Sequence, residues 1–409
     1  MRRRFIEHNL NFWHIGCILG AAMGLPVMMV GASLAKTQGP GSAVLSILIG
    51  NLILWIIGLG IYSMAKSSHN AIENIGEYLG KGAGLFAAFL FCFAILIWYS
   101  MQIEAAATAL TLLEDRPSHW LFGTALGLLA AFLSIGGIRL IKWVCVRVLP
   151  FLFCYLIYAV MTSERSVVFA GTWGISFSGI LAVILSWLPG VVSLPTVFRH
   201  ARSREDAVLG LSIFTVIHAC FGIFIVLMGI QGLEGFVSKE WINSAFAGYT
   251  IFTVAFILLS MICINLVNIY FASASLEVIF NKSAIQLVFV GIGGTALYAA
   301  FEFLEPFNYS ISPSLTYLEC IAENFIVSLG TVLLVDLLIK IVVKHRPRPL
   351  EQFWSSFCWI FSCLIALIMQ LLRPSDPNIS LLAGASAIIL FLVIILIEET
   401  IWSTKKLSL

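Results

Sequence analysis

From residue 11 to residue 401 the sequence is a succession of apolar stretches, each about the length that crosses a bilayer, separated by short polar joints. Their ranges are 11–35, 42–65, 83–113, 118–138, 143–163, 174–198, 207–232, 246–278, 284–303, 314–343, 353–372 and 379–401. In hydrocarbon a segment persists only if its own backbone amides and carbonyls are satisfied, and at this length a helix does that. The expectation is an all-α integral membrane protein of about twelve transmembrane helices, forming a single domain over 1–409. Composition agrees: 11% of residues are charged and the mean hydropathy is +1.01, whereas soluble domains carry about 25% charged residues.

Basic residues orient the spans. With the N-terminus inside, only Lys36, Arg116, Arg165, Lys239 and Arg373 of the 23 Lys and Arg fall on the outer side. That is the positive-inside pattern. It predicts a multi-pass protein of the inner (cytoplasmic) membrane with both termini cytoplasmic. Arg2-Arg3-Arg4 followed by an apolar run imitates a secretory signal. The run is longer than a signal core, so it reads as a retained first helix. A net charge of +2 gives no reason to expect nucleic acid as a partner. The nine cysteines all lie in apolar stretches without paired spacing, which suits packing better than disulfides or metal. G-x-S-x-G, P-loop and H-E-x-x-H patterns are missing, and no enzyme is expected.

Two spans carry helix-breaking sequences: Gly24-Leu25-Pro26 in the first, and Ser186-Trp187-Leu188-Pro189-Gly190 in the sixth. Proline lacks the amide donor, and glycine permits backbone angles that other residues avoid. A membrane helix tolerates a true break only where protein or a water-lined cavity satisfies the freed groups. Two interrupted helices in corresponding positions suggest a secondary transporter of inverted repeats. The alternative is an ordinary proline kink at each. Gly16, Gly20 and Gly24 also form a small-residue stripe suited to close helix approach.

Polar residues inside spans mark the remaining candidates. Ile95, Trp98 and Gln102 share one face of the third span. Asn265, Asn268, Ser273 and Ser275 interrupt the eighth, where they serve either helix–helix hydrogen bonding or a site. Glu104, Glu277, Glu319, Glu323 and Asp336 are acidic residues singled out within spans, and an intramembrane carboxylate is a functional candidate by default. Glu277 and Asp336 fall near cytoplasmic ends, within reach of water or a basic residue. The loop Phe198-Arg199-His200-Ala201-Arg202-Ser203-Arg204 reads most simply as a topology determinant.

The segments Leu48-Ile49-Gly50-Asn51-Leu52, Trp98-Tyr99, Ser186-Trp187 with Phe198-Arg199, Ala272-Ser273 and Asp336-Leu337 make the chain resemble the nucleobase–cation symporter family. The likeness is to its cytosine, purine and hydantoin permeases. The resemblance implies a LeuT-type fold: two inverted five-helix repeats (11–163 and 174–343) with helices 1 and 6 broken, and two additional helices (353–401). It also implies a flat heterocycle held between Trp98 and Trp187, with Ser186 and the Gly190 amide on the ring edge and Gly24 near the helix-1 break. The glutamine by which relatives read the base corresponds to Ile95, and Gln102 stands one turn beyond Trp98. Relatives bind sodium between the helix-1 break and hydroxyls of helix 8, positions that read Ile264 and Asn265 here. A possible sodium site near Gly24 and Asn265 is therefore short of an oxygen.

The expected activity is import of a small planar heterocycle, a nucleobase or related compound, by alternating access coupled to Na+ or H+, with no enzymatic cofactor. The bilayer and the heterocycle are the expected partners; the sequence does not fix an oligomeric state. Residues assigned to coupling are Asn265, Asn268, Glu319 and Glu323, the last two sharing a face of the tenth span. The rivals are an amino-acid permease of the same superfamily and a non-transporting membrane protein with a degenerate site.

Overall fold

The computed structural model describes residues 9–65, 69–114, 119–162, 167–229, 250–280, 284–304, 321–335, 348–373 and 379–407. The described helices are α1 (Phe12–Ala21), α2 (Gly24–Gln38), α3 (Pro40–Met64), α4 (Ala71–Leu79), α5 (Lys81–Glu114), α6 (His119–Leu133) and α7 (Gly137–Thr162). They continue with α8 (Phe177–Ser193), α9 (Pro195–Phe198), α10 (Arg204–Leu227), α11 (Thr250–Ser275), α12 (Ala284–Leu304), α13 (Ile321–Val335), α14 (Arg348–Leu372) and α15 (Ile379–Leu407). Among the described residues, eight helices are long and apolar enough to cross a membrane. One of these is the 44-residue run His119–Thr162. Straight, it would span about 66 Å, twice the roughly 30 Å hydrocarbon core. Gly137, at φ 54°, divides it into α6 and α7.

Local chemistry sets the ends. Asn11 Oδ1 accepts from His14 N at 2.9 Å to start α1, and Ser203 Oγ accepts from Asp206 N at 3.1 Å to start α10. Gly39, at φ 81°, ends α2 and hands the chain to Pro40 at the start of α3. The short helix α4, which hydropathy alone does not suggest, begins with a reciprocal cap. Asn70 Oδ1 accepts from Glu73 N at 2.7 Å while Glu73 Oε2 accepts from Asn70 N at 2.9 Å.

The first span is interrupted. Between α1 and α2, Ala22 and Met23 have ψ of −5° and −4°. Met23 N turns back to Gly20 O at 3.1 Å. Pro26 falls in the first turn of α2, where its missing donor breaks no bond. The sixth span is interrupted too, but not where the sequence suggested. α8 runs through Ser186–Gly190, with Pro189 inside it, and stops at Ser193. One proline removes one rung of the ladder and leaves the rest. The break comes at Leu194, whose amide closes a tight turn on Val191 O at 3.2 Å. Pro195 then opens α9 without needing a donor.

Four early helices pack chiefly on late ones: α1 on α10, α3 on α8, α5 on α11 and α6 on α12. The glycine stripe explains the first pair. A Cβ on Gly16 would collide with Ile213, and one on Gly20 would meet Ile217 at 2.7 Å. This is close packing without a hydrophobic drive, as small residues allow in lipid. The same end of α1 is stapled to the segment after α9: Leu10 N donates to His200 O at 3.0 Å, Arg202 N to Leu10 O at 2.9 Å, and Phe12 N to Asp206 Oδ1 at 2.8 Å.

Candidate substrate cavity

A cavity of about 550 Å³ lies where the first-span break meets α5, α8, α10, α11 and α13. Its volume suits a small organic ligand. Ala22 and Met23 bring the break to its wall, and Val30, Ser33 and Leu34 carry it along α2 toward the far end of that helix. Trp98 and Gln102 enter from α5, Ser186, Trp187 and Gly190 from α8, Asn268 from α11 and Glu323 from α13. The two indoles come from different helices onto one cavity. Their rings are not in contact: Trp187 packs on Phe214 at 5.3 Å between centroids.

Gly190 has a visible reason to be glycine. A Cβ there would strike the six-membered ring of Trp187, one turn earlier on the same helix. The indole lies across the glycine, and Gly190 sits within continuous α8 rather than at an open helix end. Ser186 Oγ donates to Val183 O at 2.8 Å, so its hydroxyl retains lone pairs for a ligand. Gln102 Oε1 and Trp187 Nε1 are enclosed without a hydrogen-bond partner among the described residues. His218 Nδ1 on α10, also at this cavity, is in the same state. Enclosed polar atoms without partners cost about 1–3 kcal/mol each.

Other candidates are placed elsewhere. Asn265 is fully buried beside the cavity rather than on its wall, with its amide directed at Met261 Sδ (3.2 Å). Asn268 Nδ2 approaches Asn265 Oδ1 at 3.5 Å. Ile264, not Asn265, faces the cavity from α11. Gly24 opens α2 next to the break. Glu319 and Asp336 lie outside the described residues. Glu104 is away from the cavity: its Oε1 lies 3.4 Å from His119 Nε2, and His119 Nδ1 meets Glu302 Oε2 at 3.1 Å. That chain ties α5, α6 and α12 together. All described cysteines are free thiols.

The sequence reading missed a buried ionic network just past the end of α9. Arg199, read as a loop residue, is only 2% exposed. Its two terminal nitrogens grip Glu277 at 2.7 and 3.0 Å. Nη2 also donates to Tyr270 OH at 3.1 Å, and His200 Nε2 lies 2.6 Å from the same hydroxyl. Asn70, at the start of α4, donates to Ala274 O at 2.9 Å, and Ala71 N donates to Thr196 Oγ1 at 3.2 Å. Helices α4, α9 and α11 are thereby joined. Glu277 and Arg199 are 78 residues apart, and only their spacing to the ends of two facing spans connected them in the sequence.

No protein-family model and no curated protein sequence matches the chain. Solved structures match over nearly all of it. The hydantoin-bound closed form of Mhp1, a nucleobase-cation-symport-1 family transporter, superposes with TM-score 0.65 at 16% identity, covering 95% of this chain and 92% of that one. The inward-facing conformation of Mhp1 gives 0.64 at 18% identity, over 98% and 93%. A substrate-bound, outward-open Na+-coupled sialic acid symporter gives 0.69 at 14% identity, over 94% and 90%. The chain has the LeuT-type fold of these transporters.

Proposed function

We propose that this protein is a cation-coupled secondary transporter of a small, uncharged, planar heterocycle such as a nucleobase or hydantoin-like ring. The observation that carries the reading is the placement of Trp98 and Trp187 from α5 and α8 on one cavity beside the first-span break. Paired indoles offer flat apolar faces to a ring, while the break supplies backbone groups free of helical partners. Gln102 and Ser186 on the same wall provide in-plane polar partners. Among the described residues no Arg or Lys borders the cavity, which disfavours a strongly anionic ligand.

The reciprocal packing of early on late helices supports two inverted repeats over 11–163 and 174–343, followed by helices in 353–401 that complete about twelve spans. The basic-residue distribution supports cytoplasmic termini in the inner membrane. In that orientation the cavity extends toward the outside along α2, and the Arg199–Glu277 network lies toward the inside. The test is equilibrium binding of radiolabelled uracil, cytosine, hypoxanthine, allantoin and leucine to the purified full-length chain. Saturable binding of one or more heterocycles, and none of leucine, is the expected result. Leucine binding alone would install the amino-acid permease reading in its place.

A further inference from the structure

His218 sits near the middle of α10, is 3% exposed, and borders the cavity. Nothing in the spacing of the apolar spans singles it out. Its ring is positioned by two aromatic neighbours: Trp187 at 6.0 Å between centroids and 31° between planes, and Phe214 at 5.8 Å and 68°. A phenyl or isobutyl side chain would fill such a setting without cost. An imidazole does not, because Nδ1 is enclosed and meets no hydrogen-bond partner among the described residues. Its two ring neighbours present aromatic faces, and a neutral imidazole offers one donor and one acceptor.

We propose that His218 is a substrate-contacting residue that determines specificity, hydrogen-bonding a polar edge of the ring held beside Trp187. The inference rests on the heterocycle reading above and adds a contact from α10 to those from α5 and α8. Its consequence is selectivity. A ring that presents a donor or acceptor toward α10 satisfies the imidazole, while an analogue lacking that atom leaves it unpaired in an enclosed site. Trp187 and His218 would act jointly, the indole setting the plane of the ring and the imidazole its rotation within that plane.

The experiment is binding of the same heterocycle panel to wild type, His218→Phe and His218→Gln in detergent. Phenylalanine keeps the aromatic packing on Trp187 and Phe214; glutamine keeps hydrogen-bonding capacity. The expected result is affinity several-fold to about tenfold weaker in His218→Phe for the preferred ring, with partial recovery in His218→Gln. Single-atom analogues of that ring should also lose affinity in wild type but lose little further in His218→Phe. Unchanged affinity and unchanged ranking of analogues in both folded variants would overturn the inference and leave the transporter reading intact. A wild type that binds no heterocycle overturns both. Should His218→Phe not fold, His218→Gln decides alone, through a changed ranking of the analogues.

Discussion

At the scale of single residues, the cavity depends on side chains that the membrane would otherwise not favour. A tryptophan facing an internal cavity gives up lipid contact in return for a flat face that a ring can stack on. Truncating Trp98 or Trp187 to alanine should remove about 0.5–1.5 kcal/mol beyond lost area. That is a several-fold to more than tenfold weaker heterocycle affinity, measured by equilibrium binding on protein that still elutes as a single species. Equal affinity in both variants would end the stacking idea. Gly190 tests the same geometry from behind. Because its Cβ would strike the Trp187 ring, Gly190→Ala should displace the indole and weaken binding with little loss of stability. A Gly190→Ala protein that binds like wild type would show that the indole position is immaterial.

At the scale of helices, the two interruptions differ in how far the sequence disclosed them. The first-span break falls at Ala22–Met23, immediately before Gly24-Leu25-Pro26, because a proline in the first turn marks a helix start. The sixth-span break was legible only as a region. Pro189 and Pro195 both lie there, and which one ends the helix depends on the tight turn at Leu194, a tertiary outcome that spacing does not contain. The cavity-lining roles of Trp98, Gln102 and Trp187 were readable from helical phase and resemblance. The places of His218 and Arg199 were not, since nothing in the spacing marked the first and the second read as a loop cation. Helix packing yields a prediction of its own. Gly20→Val would drive a branched side chain into Ile217, and overpacking of this kind costs about 1–3 kcal/mol. The thermal unfolding midpoint in detergent should fall, and an unchanged midpoint would show that α1 and α10 can separate. The Arg199–Glu277 pair joins α9 to α11 more strongly. Removing one partner strands a buried charge at a cost of about 3–5 kcal/mol, whereas replacing both with apolar residues does not. Glu277→Leu should therefore unfold well below wild type, and Arg199→Met with Glu277→Leu should recover most of the loss. Failure of the double variant to recover would place the network's value in its hydrogen bonds to Tyr270 and Asn70 rather than in the ion pair.

At the scale of the whole molecule, the proposed symport must link what fills the cavity to a cation, and we propose that this cation is a proton. Sodium asks for several oxygen ligands around one point. Beside the first-span break, α11 presents the alkyl side chain of Ile264 to the cavity. Asn265, the neighbouring candidate, is fully buried with its amide toward Met261. Among the described residues, the side-chain oxygens that α2 and α11 bring to the cavity are those of Ser33 and Asn268, few for an ion that gives up its hydration shell only for a full set of ligands. Across the cavity, Glu323 brings a carboxylate to the wall from α13. A carboxylate that faces each side of the membrane in turn can take up one proton outside and release it inside, with no other ligand required. Uptake into proteoliposomes should then follow an imposed inward proton gradient in sodium-free buffer. At constant pH it should respond little to an imposed sodium gradient. Glu323→Gln, which keeps the shape and removes the ionisation, should abolish gradient-driven accumulation, yet still allow the substrate to exchange across the membrane at equilibrium. Uptake that requires sodium and is untouched by Glu323→Gln would assign coupling to the backbone carbonyls of the break instead, and Glu323 would then be a structural residue of α13.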